Sequence, residues 1–466
     1  MKKSFRMSIK IAVFALVVSL SGLGVSSLFA QSSVEQRLAA LEAKIRQLEG
    51  ELAIQKAVTR TAIGITGSDQ RNDSPLSGAF LRPAVLTESD FPTAVATVSD
   101  SAVPMPPPPP AAQTADFTDD FEGLNFFKGV KVGGFIDAYY NWNFNEPGDA
   151  KTTIGGTGLI RNFDFNHNSL TFSQADLEIT KSVSESAPLG YMVQTVFGPS
   201  ADWINGIDYA IGNSTAAHFM QYYLSARIPT SRGITLDIGK FVTQHGAEVI
   251  DSRSVWNYSR GLLFALAIPY HHTGVRATIP VSDTLTLGAS LVNGWNNVID
   301  NNGGKTGGFM LSWNPSPQVG FIQNYMVGPE QSGNSDDIRH LFDSLLTVKL
   351  GDKVTWLTNY DYGMDRISGA HVHWSGVATY LRMQATPTIA LTPRFEFYSD
   401  PMGFTTGTRQ FMKEFTLTPE FTISENLVTR FEWRADWSTE PTFTVGDPSD
   451  DPSVQNTLGV GLILKF

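Results

Sequence analysis

The stretch VGGFIDAYYNWNF, Val132 to Phe144, decides the fold. Ile136, Ala138, Tyr140, Trp142 and Phe144 share one parity, and Asp137, Tyr139, Asn141 and Asn143 share the other. Successive residues of a strand face opposite sides, so the segment reads as a strand with one apolar and one polar face. The same period of two returns in HFMQYYLSARI (218–228), TLTLGASLVNG (284–294), RHLFDSLLTVKL (339–350) and HVHWSGVATYLRM (371–383). It continues in TPRFEFYSD (392–400), RQFMKEFTLTPEF (409–421) and NLVTRFEWRADW (426–437). A soluble β-sandwich also alternates, so alternation by itself leaves two architectures open.

The links between strands separate them. Strands read near 130, 170, 190, 218, 233, 272, 284, 306, 319, 340, 353, 371, 388, 409, 426 and 456. Short links such as IPTSRG, PVSD, NPSPQ, GDK, ATPT and SEN alternate with long ones over about 145–168, 199–217, 243–271, 293–305, 328–339, 399–408 and 438–455. Sorting of this kind is expected of an outer-membrane barrel, with tight periplasmic turns and longer outer loops. The expected fold is therefore all-β, a transmembrane antiparallel β-barrel of about 16 strands (range 14 to 18) over residues 123–466. TLGVGLILKF (457–466) fits the last strand: Leu458, Val460, Leu462, Leu464 and Phe466 would meet lipid while Thr457, Gly459, Gly461, Ile463 and Lys465 face inward.

Composition agrees. Charged residues are 17% of the chain, low against the usual quarter. With no cysteine, disulfide and thiol chemistry are excluded. Lys2, Lys3, Arg6 and Lys10 precede the apolar run IAVFALVVSLSGLGV, and SLFA follows it, which is the layout of a secretory signal peptide over 1–30; the competing reading is a retained membrane anchor. Losing those four basic residues and no acid takes the formal charge from −11 to −15, a poor balance for binding nucleic acid. No later stretch approaches the ~20 apolar residues of a spanning helix.

Ahead of the barrel, Val34, Leu38, Leu41, Ile45, Leu48 and Leu52 are spaced 4, 3, 4, 3, 4, a heptad seam within 31–56. With Leu38, Ile45 and Leu52 at a, Arg37 and Lys44 fall at g and face Glu42 and Glu49 at e of a parallel neighbour. The charges favour a parallel homo-oligomer, expected as a trimer although the seam does not settle dimer against trimer; the alternative is one amphipathic helix lying on another surface. Residues 57–122, rich in Ser, Thr, Ala and Pro and carrying PMPPPPP at 104–110, read as a disordered linker. The expected location is the outer membrane, with lipids as partners and the coiled coil and linker in the periplasm, within reach of the periplasmic layer.

The block GITLDIGKFVTQHGAEVIDSRSVWNYSRGLLFALAIPYHHTGVRATIPVSDTLTLGASLVNGWNN (233–297), together with NSLTFSQADLEI, RFEFYSDPMGFTTG and NLVTRFEWRADWS, resembles the OmpL-like β-barrel porin family, β-barrel porin 2. The elements GKF, GAEVID, NYSR, HTGVRA and NGW carry the resemblance, which extends over 128–466. It implies a porin-like barrel and little about cargo. Phe466 likewise resembles the aromatic signature by which bacterial outer-membrane proteins are recognised by the barrel assembly machinery.

Sixteen strands leave a lumen wide enough for water. Link 243–271 is the third outer loop and the longest; by analogy with general porins it is expected to fold inward as a constriction, through Glu248, Asp251, Arg253 and Arg260. Opposite it, Arg394, Glu396, Arg430, Glu432, Arg434 and Asp436 fall on the polar parity, because charge on the lipid face is costly. They either select ions or brace the wall as salt-bridge ladders. No run of one sign suggests a dedicated anion pore. His371 with His373, and His271 with His272, lack a third ligand at metal spacing, and neither nucleophile elbow nor phosphate loop is present. No catalytic, cofactor or metal site is expected. The expected function is a passive diffusion porin for small hydrophilic solutes and ions. Its competitors are a structural or adhesive barrel with a plugged lumen and a soluble secreted β-protein.

Overall fold

The computed structural model describes residues 115–116, 128–148, 160–206, 218–367, 369–443, 445 and 451–466. The signal peptide expected over 1–30, the coiled coil over 31–56 with its seam Val34 to Leu52, and the linker over 57–122 lie outside the described residues, except that Ala115–Asp116 pair with Val132 and Lys131.

Sixteen strands form one closed antiparallel barrel. They are β1 (Val130–Asn143), β2 (Ser169–Lys181), β3 (Leu189–Phe197), β4 (Phe219–Ile228), β5 (Ile234–Val242), β6 (His271–Pro280), β7 (Leu285–Val292) and β8 (Thr306–Ser316). Then follow β9 (Val319–Gln331), β10 (Asn334–Lys349), β11 (Val354–Ile367), β12 (Ala370–Thr386), β13 (Ile389–Asp400), β14 (Gln410–Ser424), β15 (Leu427–Ser438) and β16 (Val454–Lys465). Each pairs with its sequence neighbour, and β16 closes on β1 from Thr457↔Asn143 to Lys465↔Phe135. Two short helices sit in outer loops, α1 (Pro199–Gly206) and α2 (Leu262–Leu266). Among the described residues no helix is long and apolar enough to cross a membrane.

Facing follows the alternation. On β16, Leu458 is 52% exposed while Thr457 is 2% exposed. The inward glycines of that strand are explained by what fills the space beneath them. A Cβ on Gly459 would overlap the Asn141 side chain, and one on Gly461 would overlap the Tyr258 ring. Outside, Phe395, Phe397, Phe411, Phe431 and Trp433 stand exposed on β13–β15. Phe395, near the middle of β13, marks lipid depth: Phe395→Arg is expected to cost about 2–4 kcal/mol in a urea titration of protein refolded into vesicles. An unchanged midpoint would mean that this face does not meet hydrocarbon.

Strand starts match the sequence reading within two residues except β10, which begins at Asn334 where 340 was expected. The long outer link expected over 328–339 is a correction: Gln331 pairs with Asn334 and only 332–333 turn, with Gly333 at φ 70°. β11 and β12 are likewise joined by 368–369 alone. The polar run PEQSGNSDD (329–337) stays in the ladder except at the turn, because a polar composition does not by itself require irregular backbone. In a strand of 17 residues such as β12, a rise of about 3.3 Å per residue tilted by about 40° gives roughly 40 Å of height, against an apolar band of about 25 Å. Residues above the band face water on both sides and can be polar without leaving the ladder.

Candidate functional site

The 28 residues between β5 and β6, 243–270, run into the barrel and cross to its far wall. Two kinds of contact fix them there. One is apolar: Leu262, Leu263, Phe264 and Leu266 of α2 are buried in a core that lies inside the barrel, with Trp295, Trp374, Tyr380 and Tyr398. Trp374 Nε1 donates to the Ala267 carbonyl (3.1 Å) and Tyr398 OH to the Leu266 carbonyl (3.2 Å). Leu263 packs over Gly376, where a Cβ would come within 2.6 Å of it. Burying four large side chains stabilises by roughly 6–12 kcal/mol as an upper bound.

The other kind of contact is ionic. Arg394 on β13 donates from Nη1 to Glu248 Oε1 (2.6 Å) and to the Ser259 carbonyl (2.7 Å), and from Nε to Glu414 Oε2 on β14 (3.0 Å). Glu432 on β15 accepts from the backbone N–H groups of Tyr258 (2.7 Å) and Ser259 (3.0 Å). Arg434 donates to the Arg260 carbonyl (2.6 Å) and pairs with Asp436 (2.8 Å). Arg430 pairs with Glu420 (2.7 Å) and donates to the Ser252 carbonyl (2.7 Å). The first N–H groups of α2 have no partner within the helix; carboxylates take them, Gly261 N on Glu248 (2.5 Å) and Leu262 N on Glu396. Buried charges are tolerated only when paired and hydrogen-bonded, and this wall meets that condition almost throughout.

Each loop and wall residue expected to line the lumen lies inside the barrel, with differing surroundings. Glu248, Arg394, Glu396, Arg430, Glu432, Arg434 and Asp436 form the clamp between loop and β13–β15. Asp251 and Arg253 form a separate group with Glu178 of β2, Arg253 lying 4.5 Å over the Phe135 ring. Arg260 braces the loop itself, donating to the carbonyls of Val249 (2.8 Å), Tyr258 (2.7 Å) and Ile250. Phe466 exchanges backbone hydrogen bonds with Gly134, 3.0 Å each way. The histidine pairs are kept apart by their surroundings: His371 and His373 face out from β12, while His272 contacts Thr243 Oγ1 (2.9 Å) and the Gly294 carbonyl (3.0 Å).

The sequence reading missed Glu414 and Glu420, although both share the polar parity of β14. It also missed the anchors of the loop's entry: Gly246 N on Asp343 (2.9 Å), Ala247 N on Asn359 (2.9 Å) and Tyr258 OH on Asp137 (2.7 Å). Other loops follow the third one inward. Burial alone would raise the Asp164 carboxyl, but the Arg161 guanidinium and Asn141 hold it below its ordinary value. Burial also pushes the His245 imidazole down to about 3, with His272 adding to the effect, so it is neutral.

The family model described as putative beta-barrel porin-2, OmpL-like, matches residues 129–466. No curated protein sequence matches the chain. Solved structures similar to it include OmpT, an outer membrane protein of Vibrio cholerae, at 10% identity and TM-score 0.45, covering 72% of this chain and 97% of that one. The outer membrane channel DcaP of Acinetobacter baumannii aligns at 12% identity and TM-score 0.46 (72% and 97%). An anion-selective porin from Comamonas acidovorans aligns at 9% identity and TM-score 0.47 (72% and 99%).

Proposed function

The chain belongs to the putative β-barrel porin-2, OmpL-like family and is an outer-membrane porin barrel; from that premise we propose a passive diffusion channel for small hydrophilic solutes and ions. The observation that carries the reading is the asymmetry of the lumen. The inner loop packs on β13–β15, where Thr392, Arg394, Thr416 and Arg434 are wholly buried, while on β4–β8 four inward residues, Ser225, Arg276, Ser290 and Met310, stay half-buried beside buried ones such as Asp237, Thr286 and Ser312. A loop that fills one side of a closed wall narrows a channel and sets its size limit. Selection then comes from lumen size and field, without covalent chemistry, and the protein is no enzyme.

Glu248, Asp251, Arg253 and Arg260 act on this reading as parts of the constriction, and the charges of β13 and β15 hold it in place. The N-terminal 31–56 helix assembles barrels through its seam, as a trimer by preference, on the periplasmic side, reached by the 57–122 linker and close enough to contact the periplasmic layer. Lipids surround the outer face, and Phe466 serves the assembly machinery. The test is single-channel conductance of the refolded protein, freed of residues 1–30, in planar bilayers, with reversal potential in a salt gradient. Steady ohmic steps are expected. Silence from protein shown to be folded and inserted would replace the channel by a plugged barrel that works through its outer loops.

A further inference from the structure

We propose that the arc β10–β14 carries, at the outer end of its lipid-facing wall, a binding site for the phosphorylated headgroup of an outer-leaflet lipid, formed by Arg366, His371, His373, Arg409 and Lys413. The inference concerns the outside of the barrel and holds whether or not the lumen conducts. It starts from what ends the apolar run on the outward face of each strand, at the end that carries the long loops. On β11 Met364 is followed by Arg366, and on β12 Val377 and Ser375 give way to His373 and His371. On β14 Lys413 lies beside Phe411, and Arg409 stands just beyond it. Elsewhere on the rim the same place is taken by Phe144, Leu170, Phe197 and Leu291, all exposed. Among the described residues, the one other exposed lysine or arginine at this end is Lys305, and it is tied to Asp300. A chain of formal charge −11 thus gathers exposed positive charge on one arc, at the level where hydrocarbon meets headgroups.

The geometry suits a phosphate. Arg366 and His371 stand directly opposite each other on β11 and β12, with Cβ atoms about 5 Å apart, so both side chains can reach one oxyanion. Asp337 approaches Arg366 only to 3.7 Å, and the Arg366 side chain stays 54% exposed. His373 follows on the same face of β12, its ring stacked on Tyr362 at 6.3 Å between centroids. Arg409 spends its Nε on the Pro401 carbonyl (2.8 Å) and makes no other hydrogen bond with the described residues. It lies two strands from β12, about 10 Å across the sheet, a span that a headgroup with two phosphates bridges. Guanidinium groups bind phosphate through paired, charge-assisted hydrogen bonds. Beneath the cations, exposed Phe342, Val377, Phe397 and Phe411 offer the apolar wall on which acyl chains lie. That combination, cations above an apolar wall, fits an amphiphile and not a free anion.

The test is native mass spectrometry of the folded protein, freed of residues 1–30, in detergent with diphosphoryl lipid A or with its dephosphorylated form. Folding of every variant is checked by heat-modifiable gel mobility. The parent is expected to retain the diphosphoryl lipid at least about tenfold more tightly than the dephosphorylated one. Arg366→Gln with Arg409→Gln is expected to lose that preference, and Lys349→Gln with Lys353→Gln, at the opposite end of the barrel, to keep it. If the double arginine variant does not fold, Arg409→Gln alone carries the comparison. Excess inorganic phosphate is expected to leave the lipid in place. Equal retention of the two lipids by the parent overturns the phosphate site, as does undiminished preference in the arginine variants. Displacement by inorganic phosphate overturns the lipid as occupant and leaves a site for a free anion. A preference that falls equally in the Lys349→Gln/Lys353→Gln control would make the attraction a property of total charge and overturn the arc.

Discussion

Arg394→Ala is expected to free the charged arm of the inner loop and enlarge the channel. The guanidinium joins Glu248, the Ser259 carbonyl and Glu414 at 2.6, 2.7 and 3.0 Å. Its removal strands two buried carboxylates and a carbonyl, and breaking a buried pair from one side costs about 3–5 kcal/mol. Where that cost is relieved depends on which element yields first. The barrel wall is tied by continuous ladders on both sides of β13. The apolar anchor of α2, worth roughly 6–12 kcal/mol at most, outweighs the loss. The arm 248–261 joins that apolar cluster through Val249, Ile250, Val255 and Trp256 but carries Glu248 and Ser259, the loop groups that lose their partner, and is the part expected to move, exposing Arg253 and Arg260 to trypsin. Larger conductance steps, cleavage at those arginines and a lowered urea midpoint should appear together. Adding Glu248→Gln and Glu414→Gln to Arg394→Leu removes the stranded charges and should recover most of the stability but not the closed arm. Wild-type conductance and stability in Arg394→Ala would show that the clamp holds nothing in place.

That expectation depends on contacts of a kind the sequence only partly discloses. The strands were legible because period two is a local signal and each residue declares its own face. So was the inward placement of Arg394, Glu396, Arg430, Glu432, Arg434 and Asp436, since the cost of charge in lipid acts on each alone. Their partners were not. Arg394 meets Glu248 across 146 positions and Tyr258 meets Asp137 across 121, and no local pattern carries such a pairing. Glu414, one strand from Arg394, could have been found by extending the parity count to β14. The apolar run LLFALAIP was visible, yet its destination inside the barrel follows only from the aromatic residues that receive it, Trp374 and Tyr398, on strands more than 100 positions away. The outer link expected over 328–339 is a tight hairpin for a different reason: the β9–β10 ladder continues beyond the apolar band, so strand and membrane do not end together.

Gly134→Val is expected to prevent closure of the barrel. Gly134 sits where β1 meets Phe466, and its N–H and carbonyl bond those of Phe466 at 3.0 Å each. The Phe466 ring lies over it. A Cβ there would come within 2.7 Å of the ring and would overlap the Asp176 carbonyl of β2, which is backbone and cannot swing aside. Relief therefore requires β1 to part from β2 or from β16, and either opens an edge of unpaired N–H and C=O groups to lipid, each costing several kcal/mol. Two or three such groups exceed the margin of about 5–15 kcal/mol on which a folded domain rests. Folded, heat-modifiable protein should be lost altogether on refolding. Ile136→Val, two residues along the same outward face and free of that crowding, should refold like the parent. The ring and the backbone can be told apart by Phe466→Leu, which keeps both hydrogen bonds to Gly134 and loses only the aromatic contact. If Phe466→Leu refolds in vitro while Gly134→Val does not, closure belongs to the backbone seam, and the ring is left for recognition during assembly. If Gly134→Val folds with parental mobility, the seam between β16 and β1 cannot be as tight as the Gly134–Phe466 geometry requires.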